Sequence, residues 1–559
     1  MTDYKDRVLG SMFGGAVGDA LGYPVEFMTR DEILARYGQD GINAFVPGPD
    51  GVAQISDDTQ MSLFTAVGLL FGLTRMQLRG TLGAGPADYI GEAYCEWYQA
   101  QTGTVDYTRF HTAWIRDIKE LAAPRAPGNT CMEALGCLTR HCPVENDSKG
   151  CGGIMRVAPV PLMLANDACH AKEAQIIRIA GDTAALTHRH PLGYLPAALM
   201  AFVIMRLLKM PAPTSFGISS AVDAGIEMLR NVYPDCGRHI GELEDIIDRA
   251  RRLVLSSLSD ADAIARIGRG WVAEETLAIA LFCVLRYPDD FGKAVVASVN
   301  HSGDSDSTGA VTGNLMGAIV GYAGIPDRFK DKLELSWLIK ELSDDLSTPI
   351  PVGEYIDNSS PEQQRWLDRY VTGMDRDRVP HENTWLVDRR LMIYAGEYPG
   401  DRSERECRLK LGMWSKFAHF YDLTQQGELA PYSAFLTERQ SHERFPVADC
   451  SVPSDTVSVR RLIERILGVA EKEAASDERI YRRTYIHCHG GVGRTGTIVA
   501  CLYAFQLRGL GLTEDEIYRR AMRQLQDGFA RCRKSKKRKS PENAIQKNFI
   551  RTFVRNECL

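Results

Sequence analysis

The chain has 559 residues, of which 44% are hydrophobic and 25% are charged, and this composition excludes a long disordered chain. At about 150 residues per domain, the length predicts two to four domains. The 66 basic and 72 acidic residues give a formal net charge of −6, which excludes a global positive field that recruits nucleic acid or an anionic membrane.

The fourteen cysteines are scattered and form neither a secreted disulfide framework nor paired zinc-binding motifs, so we expect a reducing, cytoplasmic location. The first ten residues lack the basic region and apolar core of a signal peptide. Residues 309–325 are rich in small apolar residues, but polar and acidic residues argue against a membrane span there. We therefore expect no membrane partner, and nucleic acid is not an expected partner either.

Up to about residue 343, apolar residues recur at spacings of three and four, which predicts successive amphipathic helices. Residues 344–383 are polar and contain several prolines, which predicts a linker with a short helix around Trp366. From residue 384 to 559, short strand-like runs alternate with helical ones, as in a parallel α/β sheet. The sequence thus predicts a multidomain protein, with an all-α domain over 1–343 and an α/β domain over 384–559.

Two predicted helices of the first domain carry glycine at every fourth position. Because four residues drift only about 40° around a helix, each row leaves one flank without side chains. We expect the two helices to pack closely along these flanks, which would bring Asp19 and Glu26 near the acidic start of the second helix. The rows are Gly10, Gly14, Gly18 and Gly22 in the first helix, and Gly309, Gly313, Gly317 and Gly321 in the second.

Three acidic clusters of the first domain each lie at a predicted helix end. Aspartate is an ordinary N-cap residue, so helix capping explains each cluster taken alone. Converging carboxylates repel one another unless a cation lies between them, so the three together indicate a metal site. Ligands that are all oxygen select Mg²⁺ or Mn²⁺, and two such ions could orient sugar hydroxyls and activate water. The clusters are Asp19 with Glu26, Asp57 with Asp58, and Asp304 with Asp306.

Five motifs follow one another over about residues 5–340: GSMFGGAVGDALGYPVEF, SDDTQMSLFTAVGLL, SKGCGGIMRVAPVPL, AALTHRHPLGY and HSGDSDSTGAVTGNLMGA. In this order they resemble the motifs of the ADP-ribosylglycohydrolases, the family of dinitrogenase-reductase-activating glycohydrolase. The resemblance implies an all-α fold with two Mg²⁺ ions in a cleft. It also implies cleavage of the bond between C1″ of ADP-ribose and a protein side chain, most often arginine, so an ADP-ribosylated protein is the implied partner.

The resemblance further implies roles for individual residues. Glu26 resembles the acid that serves the catalytic water. Many relatives read D-T-D-T where this chain reads D-S-D-S from Asp304 onward, so Thr308 is an alternative to Ser307 as a hydroxyl ligand. The residues that resemble metal ligands are Ser56, Asp57, Asp58, Asp304, Asp306 and Ser307.

A glycine loop lies between the acidic clusters in the sequence. Gly150, Gly152 and Gly153 would let backbone N–H groups approach a pyrophosphate, and a plain turn is the alternative interpretation. His188 is a candidate contact of the same ligand, and a histidine of the core or of a loop is the alternative there.

A second chemistry is indicated near the other end, in YIHCHGGVGRTGTIVACLYAF, where Cys488 and Arg494 lie six positions apart. A strand, a tight glycine loop and a helix start predict an anion-binding nest, in which Arg494 binds two phosphate oxygens. This environment should lower the pKa of the Cys488 thiol from about 8.5, so that the thiolate attacks phosphorus and forms a phosphocysteine. Thr495 would help the thiolate to leave. The loop residues predicted to hold the phosphate are His489, Gly490, Gly491, Val492 and Gly493.

The HCxxGxxR[ST] pattern resembles that of the cysteine-based protein phosphatases, and AGEYPG, YDLT and SPENAIQKNF resemble their dual-specificity branch. The implied partner is a phosphorylated protein or a small phosphomonoester. The reaction needs a general acid, for which Asp449, Asp455 and Asp422 are candidates. FPVADCSVP resembles the acid loop of the compact phosphatases and favours Asp449. The basic run from Arg531 to Lys539 indicates either a solvated insertion or a contact for acidic substrate, nucleic acid or nucleotide phosphates.

We therefore predict a bifunctional hydrolase, which combines an Mg²⁺-dependent ADP-ribosylglycohydrolase with a protein tyrosine or dual-specificity phosphatase. Two alternatives stay open. Both sites could process one small ADP-ribose derivative, or the first domain could bind ADP-ribosylated partners or serve as an immunity module without turnover.

Overall fold

Two compact units with separate apolar cores make up the protein: a helical unit up to Val371 and a sheet unit from His381 onward. The computed structural model describes residues 3–48, 51–79, 85–104, 111–351, 361–371, 381, 383–388, 390–401, 403–412, 414, 417–475, 483–530 and 532–558.

The described residues of the helical unit form α-helices and short 3-10 turns with isolated β-bridges, which confirms the predicted all-α fold class. One continuous apolar core runs through the unit. The helices are α1 (Tyr4–Gly22), α2 (Arg30–Tyr37), α3 (Asp57–Arg79), α4 (Pro86–Thr102), α5 (Lys119–Ala122), α6 (Asn129–Thr139), α7 (Pro159–Leu164), α8 (Glu173–Ala185), α9 (Pro191–Lys209), α10 (Ser215–Val232), α11 (Gly237–Val254), α12 (Asp260–Ile267), α13 (Ala273–Arg286), α14 (Phe291–Val299), α15 (Ser305–Val320), α16 (Ser336–Ser347) and α17 (Pro361–Val371).

Two of these helices are long and apolar enough to cross a membrane by length and composition, namely Asp57–Leu78 of α3 and the whole of α9. Most of the apolar window of each, 72% and 83%, is buried inside the unit. A helix in the core of a folded domain has the same composition, so these two helices have the properties of core helices.

Helices α1 and α15 lie antiparallel and in backbone contact along the two glycine rows. A Cβ atom added at Gly18 would lie 1.9 Å from Gly309 O, and one at Gly22 would lie 2.2 Å from Ser305 O. No Cβ atom fits at these distances, which confirms the predicted close approach. Because the helices are antiparallel, the end of α1 meets the start of α15, where the acidic residues lie.

Helix α17 falls within the segment predicted as a linker, yet it packs against the helical unit. Trp366 Nε1 donates a hydrogen bond to Thr74 Oγ1 on α3 at 3.0 Å, and Tyr370 Oη donates to Asp345 Oδ2 on α16 at 2.5 Å. Both aromatic rings are buried. The short helix expected around Trp366 is therefore part of the helical unit, although the polar residues around it suggested a free connection.

The described residues of the sheet unit form an α/β domain, which confirms the second predicted fold class. Its elements are β1 (Thr384–Asp388), β2 (Ile393–Gly396), α18 (Glu404–Gly412), β3 (Phe417–Asp422), β4 (Ser441–Arg444), α19 (Thr456–Ala475), β5 (Arg483–His487), α20 (Gly493–Leu507), α21 (Glu514–Phe529) and α22 (Ala544–Cys558). The strand order is β1-β2-β5-β3-β4, and all neighbours are parallel except β1 and β2. The segment after β5 therefore leaves the middle of the sheet, the usual place for a ligand site in such folds.

Candidate active sites

Three segments of the helical unit bring acidic side chains together at the end of α1. Asp19 lies in the last turn of α1, and Glu26 follows after a short 3-10 turn. The start of α3 carries residues 56–58, and the start of α15 carries residues 304–307. All of these side chains are at most 8% exposed, and the carboxyl groups act electrostatically on one another. The glycine rows explain this convergence, because they hold α1 against α15.

Two of the aspartates also cap helices. Asp304 Oδ1 accepts a hydrogen bond from Ser307 N at 3.1 Å at the start of α15. Asp19 accepts hydrogen bonds from Ser56 N at 3.0 Å and from Thr59 N at 3.1 Å, and so caps α3 from another helix. Capping and clustering are therefore compatible, because each carboxylate oxygen has two lone pairs and can accept more than one contact.

The converging carboxyl groups disfavour ionisation of one another. Burial, together with the charges of Asp306 and Asp304, raises the pKa of Glu26 to about 10. Burial and the charge of Asp306 also raise the pKa of Asp57 and that of Asp58 well above their usual value. Buried negative charges of this kind call for a compensating cation, since an unpaired buried ion is strongly unfavourable.

Two oxygens of the cluster, Glu26 Oε2 and Asp58 Oδ2, are buried and have no hydrogen-bond partner within the part of the chain that the structure describes. Such oxygens suit a hard cation, and every donor predicted for it is an oxygen. Among the residues that the structure describes, no three His, Cys, Asp or Glu side chains stand in a geometry that holds a metal ion. Mg²⁺ usually keeps several waters and is held through one or two carboxylates, so the donor set fits this ion without a cage of three carboxylates.

Hydrogen bonding distinguishes the two hydroxyls at the start of α15. Thr308 Oγ1 lies 2.7 Å from Asp304 O and 2.8 Å from Ser298 O, so its hydroxyl is engaged with the backbone. Ser307 Oγ instead interacts with two sulfur atoms, which are weak partners: it lies 3.9 Å from Met155 Sδ and also hydrogen-bonds with the Cys151 thiol. This geometry favours Ser307 over Thr308 as the predicted hydroxyl ligand.

The glycine loop lies beside the carboxylate cluster. Its Cys151, which no sequence pattern singles out, donates a hydrogen bond from Sγ to Asp304 Oδ2 at 2.7 Å. Packing alone requires glycine in this loop: a Cβ atom at Gly152 would lie 2.8 Å from Cys131 Sγ and 2.9 Å from His188 Cε1. The close packing explains the glycine without a ligand, and the approach of a pyrophosphate stays a prediction.

His188 packs against the same loop as a buried, neutral ring. A Cβ atom at Gly150 would lie 3.1 Å from His188 Nε2. The third glycine of the loop, Gly153, packs elsewhere, since a Cβ atom there would lie 3.0 Å from Gly193 O. Burial and the nearby Arg156 lower the pKa of His188 to about 3, and Nδ1 lies 2.8 Å from Thr187 Oγ1. This placement favours a core role, and a contact of His188 with a ligand stays a prediction.

In the sheet unit, the Cys488 loop joins the end of β5 to the start of α20, as predicted. Gly491 has a φ of 71°, and a Cβ atom there would lie 2.4 Å from Gly396 C. Only glycine fits such a position. Cys488 is 3% exposed and lines a cavity of about 450 Å³. The other predicted loop residues that line this cavity are His489, Gly490, Val492 and Gly493.

Arg494, which also lines the cavity, is held by an acidic partner that the sequence does not reveal. Its guanidinium donates two hydrogen bonds to Glu428, at 2.6 and 2.7 Å, and another to Val447 O at 3.0 Å. Burial opposes the charge of Arg494, but the hydrogen bonds to Glu428 raise its pKa. Glu428 lies 66 positions before Arg494 in a loop without a recognisable motif, so only the fold brings the two into view.

Of the three candidate general acids, Asp449 is the one that lines the Cys488 cavity. Its Oδ1 lies 3.1 Å from Arg494 Nη2, and its side chain is 70% exposed. Asp455 instead precedes α19 and accepts a hydrogen bond from Ser458 N at 2.7 Å, as a helix cap does. The geometry thus favours Asp449 over Asp455.

Asp422 is a buried anion at the end of β3. Its Oδ2 lies 3.0 Å from Arg444 Nη2 and 3.2 Å from His442 Nε2. Burial opposes its ionisation, but the hydrogen bond to His442 and the effect of His487 hold the pKa of Asp422 well below its usual range. His487 Nε2 in turn lies 2.7 Å from Tyr432 Oη, so this network supports the base of the Cys488 loop.

Thr495 lies in the first turn of α20. Its Oγ1 is buried and has no hydrogen-bond partner among the described atoms. A buried hydroxyl without a partner costs free energy. It is therefore suited to donate a hydrogen bond to a group that forms only during a reaction, such as a departing thiolate. The predicted role of Thr495 in that step stays a prediction.

Comparisons with known proteins match the two units separately. Residues 1–354 match the family model for ADP-ribosylglycohydrolase, and residues 380–550 match the model for the Swiss Army Knife protein, DSP-PTPase phosphatase domain. The ADP-ribosyl-[dinitrogen reductase] glycohydrolase of Rhodospirillum rubrum is 26% identical over 341 residues, which cover 59% of this chain and 91% of that protein. The ADP-ribosylarginine hydrolase Tri1 of Serratia proteamaculans is 24% identical over 361 residues, which cover 63% of this chain and 81% of that protein.

Two solved structures resemble parts of the chain. An ADP-ribosylglycohydrolase-related protein complex is 24% identical with a TM-score of 0.43, and the match covers 62% of this chain and 99% of that one. A kinase associated phosphatase is 18% identical with a TM-score of 0.24, and the match covers 32% of this chain and 97% of that one.

Proposed function

Because the chain belongs to the ADP-ribosylglycohydrolase family and also carries a phosphatase domain, we propose that it removes ADP-ribose from modified protein side chains and hydrolyses phosphomonoesters at a second site. Both domains belong to hydrolase families. The observation that carries the first activity is the convergence of three buried carboxylate clusters at the end of α1. The second rests on Cys488, Arg494 and Asp449 in one cavity.

The first site suits Mg²⁺, with Mn²⁺ as a substitute, and we assign two ions to it. When bound, they supply Lewis-acid activation of a water and orientation of the ribose hydroxyls. Bound cations would offset the carboxylate charges that raise the pKa of Glu26, so that Glu26, whose Oε2 has no hydrogen-bond partner among the described atoms, would accept a proton from water. The neighbouring carboxylates stabilise the positive charge that develops on the ribose as its bond breaks. The residues that would hold the ions are Ser56, Asp57, Asp58, Asp304, Asp306 and Ser307.

Arginine is the side chain that we assign to the ADP-ribose link. The names of two relatives support it, since one acts on an ADP-ribosyl-dinitrogen reductase and the other is an ADP-ribosylarginine hydrolase. An ADP-ribosylated protein is therefore the proposed partner.

Release of ADP-ribose from arginine, serine and nucleic-acid conjugates tests this assignment. We expect release from the arginine conjugate with Mg²⁺ and none with EDTA. Asp304→Asn should lower kcat/KM by about 100-fold or more, because it removes a predicted ligand. Asp327→Asn, at a side chain that is 94% exposed, is the control and should match the parent. Tight binding without release would make the helical unit a binder and contradict the proposed activity.

At the second site, Cys488 Sγ attacks phosphorus while Asp449 protonates the departing oxygen, so an S–P bond forms as the ester P–O bond breaks. Arg494, held by Glu428, binds the phosphate oxygens together with the N–H groups of the loop. Water then attacks the phosphocysteine and gives its proton to Asp449. Thr495 Oγ1 donates a hydrogen bond to the departing thiolate.

Hydrolysis of an aryl phosphate tests this mechanism. Cys488→Ser should abolish the activity, whereas Cys142→Ser, at an exposed cysteine of the helical unit, should match the parent. Activity in the Cys488→Ser chain would rule out the thiolate mechanism. A phosphorylated ADP-ribose derivative is the second candidate substrate, because both hydrolase domains could act on such a molecule. Turnover of that compound without turnover of phosphopeptides would favour it.

A further inference from the structure

The basic run from Arg531 to Lys539 contributes directly to the Cys488 cavity. Lys534 and Arg538 line this cavity, while Arg531 lies outside the described residues. Those two cations thus form part of the cavity wall and are not a freely solvated insertion.

Lys534 connects the Cys488 loop to a carboxylate. Its Nζ donates hydrogen bonds to Gly490 O at 3.0 Å and to Glu397 Oε2 at 2.7 Å, and its side chain is 29% exposed. An ammonium group has three N–H donors, and these contacts use two of them. Because Gly490 belongs to the loop, the third donor is within reach of an anion bound beside it.

Arg538 lies next to the same glycine. A Cβ atom at Gly490 would be 3.4 Å from Arg538 Nη1, and the guanidinium pairs with Glu542 while its side chain stays 47% exposed. The segment is anchored, because the buried Ser540 Oγ donates a hydrogen bond to Val492 O at 2.7 Å. The backbone that carries Arg538 is therefore held beside the loop.

We propose that Lys534 and Arg538 form a second phosphate subsite beside the Cys488 loop, so that the sheet unit prefers phosphomonoesters that carry another phosphate group. The subsite rests on the phosphatase activity proposed above. The cavity of about 450 Å³ has the size of small-molecule sites, roughly 300 to 1,000 Å³, and so has room beyond the phosphate that reacts. A guanidinium and an ammonium bind phosphate oxygens through charge-assisted hydrogen bonds.

The acidic residues of the cavity set the strength of this subsite. Glu397 is paired with Lys534, and Glu542 with Arg538, so each cation is partly neutralised. A phosphate group carries nearly two negative charges at neutral pH and a carboxylate carries one, so phosphate competes well for the guanidinium. Removal of the Glu542 charge should therefore strengthen binding of a second phosphate. The remaining acidic residues of the lining are Asp401 and Asp449.

Calorimetric binding of pyrophosphate and of inorganic phosphate to the full-length Cys488→Ser chain tests the subsite without catalysis. Pyrophosphate should bind about tenfold more tightly than phosphate, which is the gain expected from one charge-assisted contact. In the Cys488→Ser chain, a second substitution Arg538→Ala should bring the ratio of the two affinities close to one. Glu542→Gln in the same chain should increase that ratio. Lys537→Ala is the control, since Lys537 is exposed and does not line the cavity, and it should keep the ratio.

Equal affinities for the two anions, or equal losses in the Arg538→Ala and Lys537→Ala chains, would overturn the subsite. Hydrolysis of an aryl phosphate by the chain with Cys488 intact reports the proposed phosphatase activity separately. Hydrolysis without a preference for pyrophosphate contradicts only the subsite. A preference for pyrophosphate without hydrolysis contradicts only the phosphatase mechanism.

Values of kcat/KM identify the molecule that carries the second phosphate. One arm compares singly and doubly phosphorylated peptides, and the other compares adenosine monophosphate with adenosine 3′,5′-bisphosphate. A preference for the doubly phosphorylated member in either arm supports the subsite and names the substrate class. No preference in both arms contradicts it.

Discussion

Glu428 holds Arg494 by two hydrogen bonds, and this pair fixes the orientation of the guanidinium. Glu428→Gln removes the charge and one of the two acceptors, so Arg494 should lose its fixed orientation. We expect kcat/KM for an aryl phosphate to fall roughly 10- to 100-fold, as for the loss of a positioning contact. Glu438→Gln, at an exposed position of the same loop region, should match the parent. An unchanged rate in Glu428→Gln would contradict this role.

The buried imidazole of His487 should make the stability of the sheet unit depend on pH. Burial lowers the pKa of His487 from 6.5 to about 4, in surroundings that include Asp422, Tyr432, His442 and Arg444. Between these pH values the unfolded chain binds a proton that the folded chain does not, so the free energy of unfolding falls as the pH drops from 6.5 towards 4.

His487→Gln removes this titration and should flatten the pH dependence by about one proton. Urea unfolding at several pH values across that range, monitored by hydrogen exchange in β5, measures this change in the free energy of unfolding. His489→Gln, at an exposed neighbouring position, should keep the slope of the parent. If the free energy of unfolding changes equally with pH in the parent and in His487→Gln, groups other than His487 determine the pH dependence, and this prediction is wrong.

Site residues with a local motif could be predicted, and those defined by contacts over long sequence distances could not. The spacing of Cys488 and Arg494 predicts the phosphate loop, because one strand, loop and helix form it. Glu428 and Cys151 have no such local signal, since each meets its partner only through the fold. For Asp449, the acid-loop resemblance favoured the aspartate that lines the cavity.

At the scale of elements, the glycine contact between α1 and α15 should be the most sensitive packing feature of the helical unit. A Cβ atom at Gly313 would lie 1.9 Å from Gly14 O, a backbone atom that cannot move away alone. Gly313→Ala should therefore lower the free energy of unfolding by about 3 kcal/mol, at the upper end of overpacking.

Gly241→Ala in α11 is the matched control, because none of the described residues has an atom within 4 Å of a Cβ atom there. It should raise the free energy of unfolding by up to about 1 kcal/mol, since alanine is the better helix former. Urea unfolding of the helical unit measures both. Equal effects of the two substitutions would show that the helices are not in tight contact.

The glycine pairing was predictable because a four-residue repeat translates directly into a bare helix flank. The packing of α17 was not predictable, because Trp366, Arg369 and Tyr370 tie an otherwise polar segment to the helical unit through contacts distant in sequence. The α/β class followed from alternating patterns, whereas the strand order depends on contacts that no single segment encodes.

For the whole molecule, two separate cores and two separate sites predict activities that can be removed one at a time. In the full-length chain, Cys488→Ser should abolish phosphatase activity and leave ADP-ribose release at the parent rate. Asp304→Asn should have the opposite effect. Each variant is assayed on both substrates, and a loss of both activities in either one would contradict independent sites.

We propose that divalent cations compensate the buried carboxylates at the end of α1. The most direct test is a titration of the chain with Mn²⁺. Electron paramagnetic resonance monitors the uptake, with and without competing Mg²⁺. We expect saturable uptake of two ions per chain, displaced by Mg²⁺ and weakened by Asp58→Asn and by Asp304→Asn, with Asp327→Asn as the unaffected control. Uptake that is absent, or that is the same in all four chains, would contradict the claim.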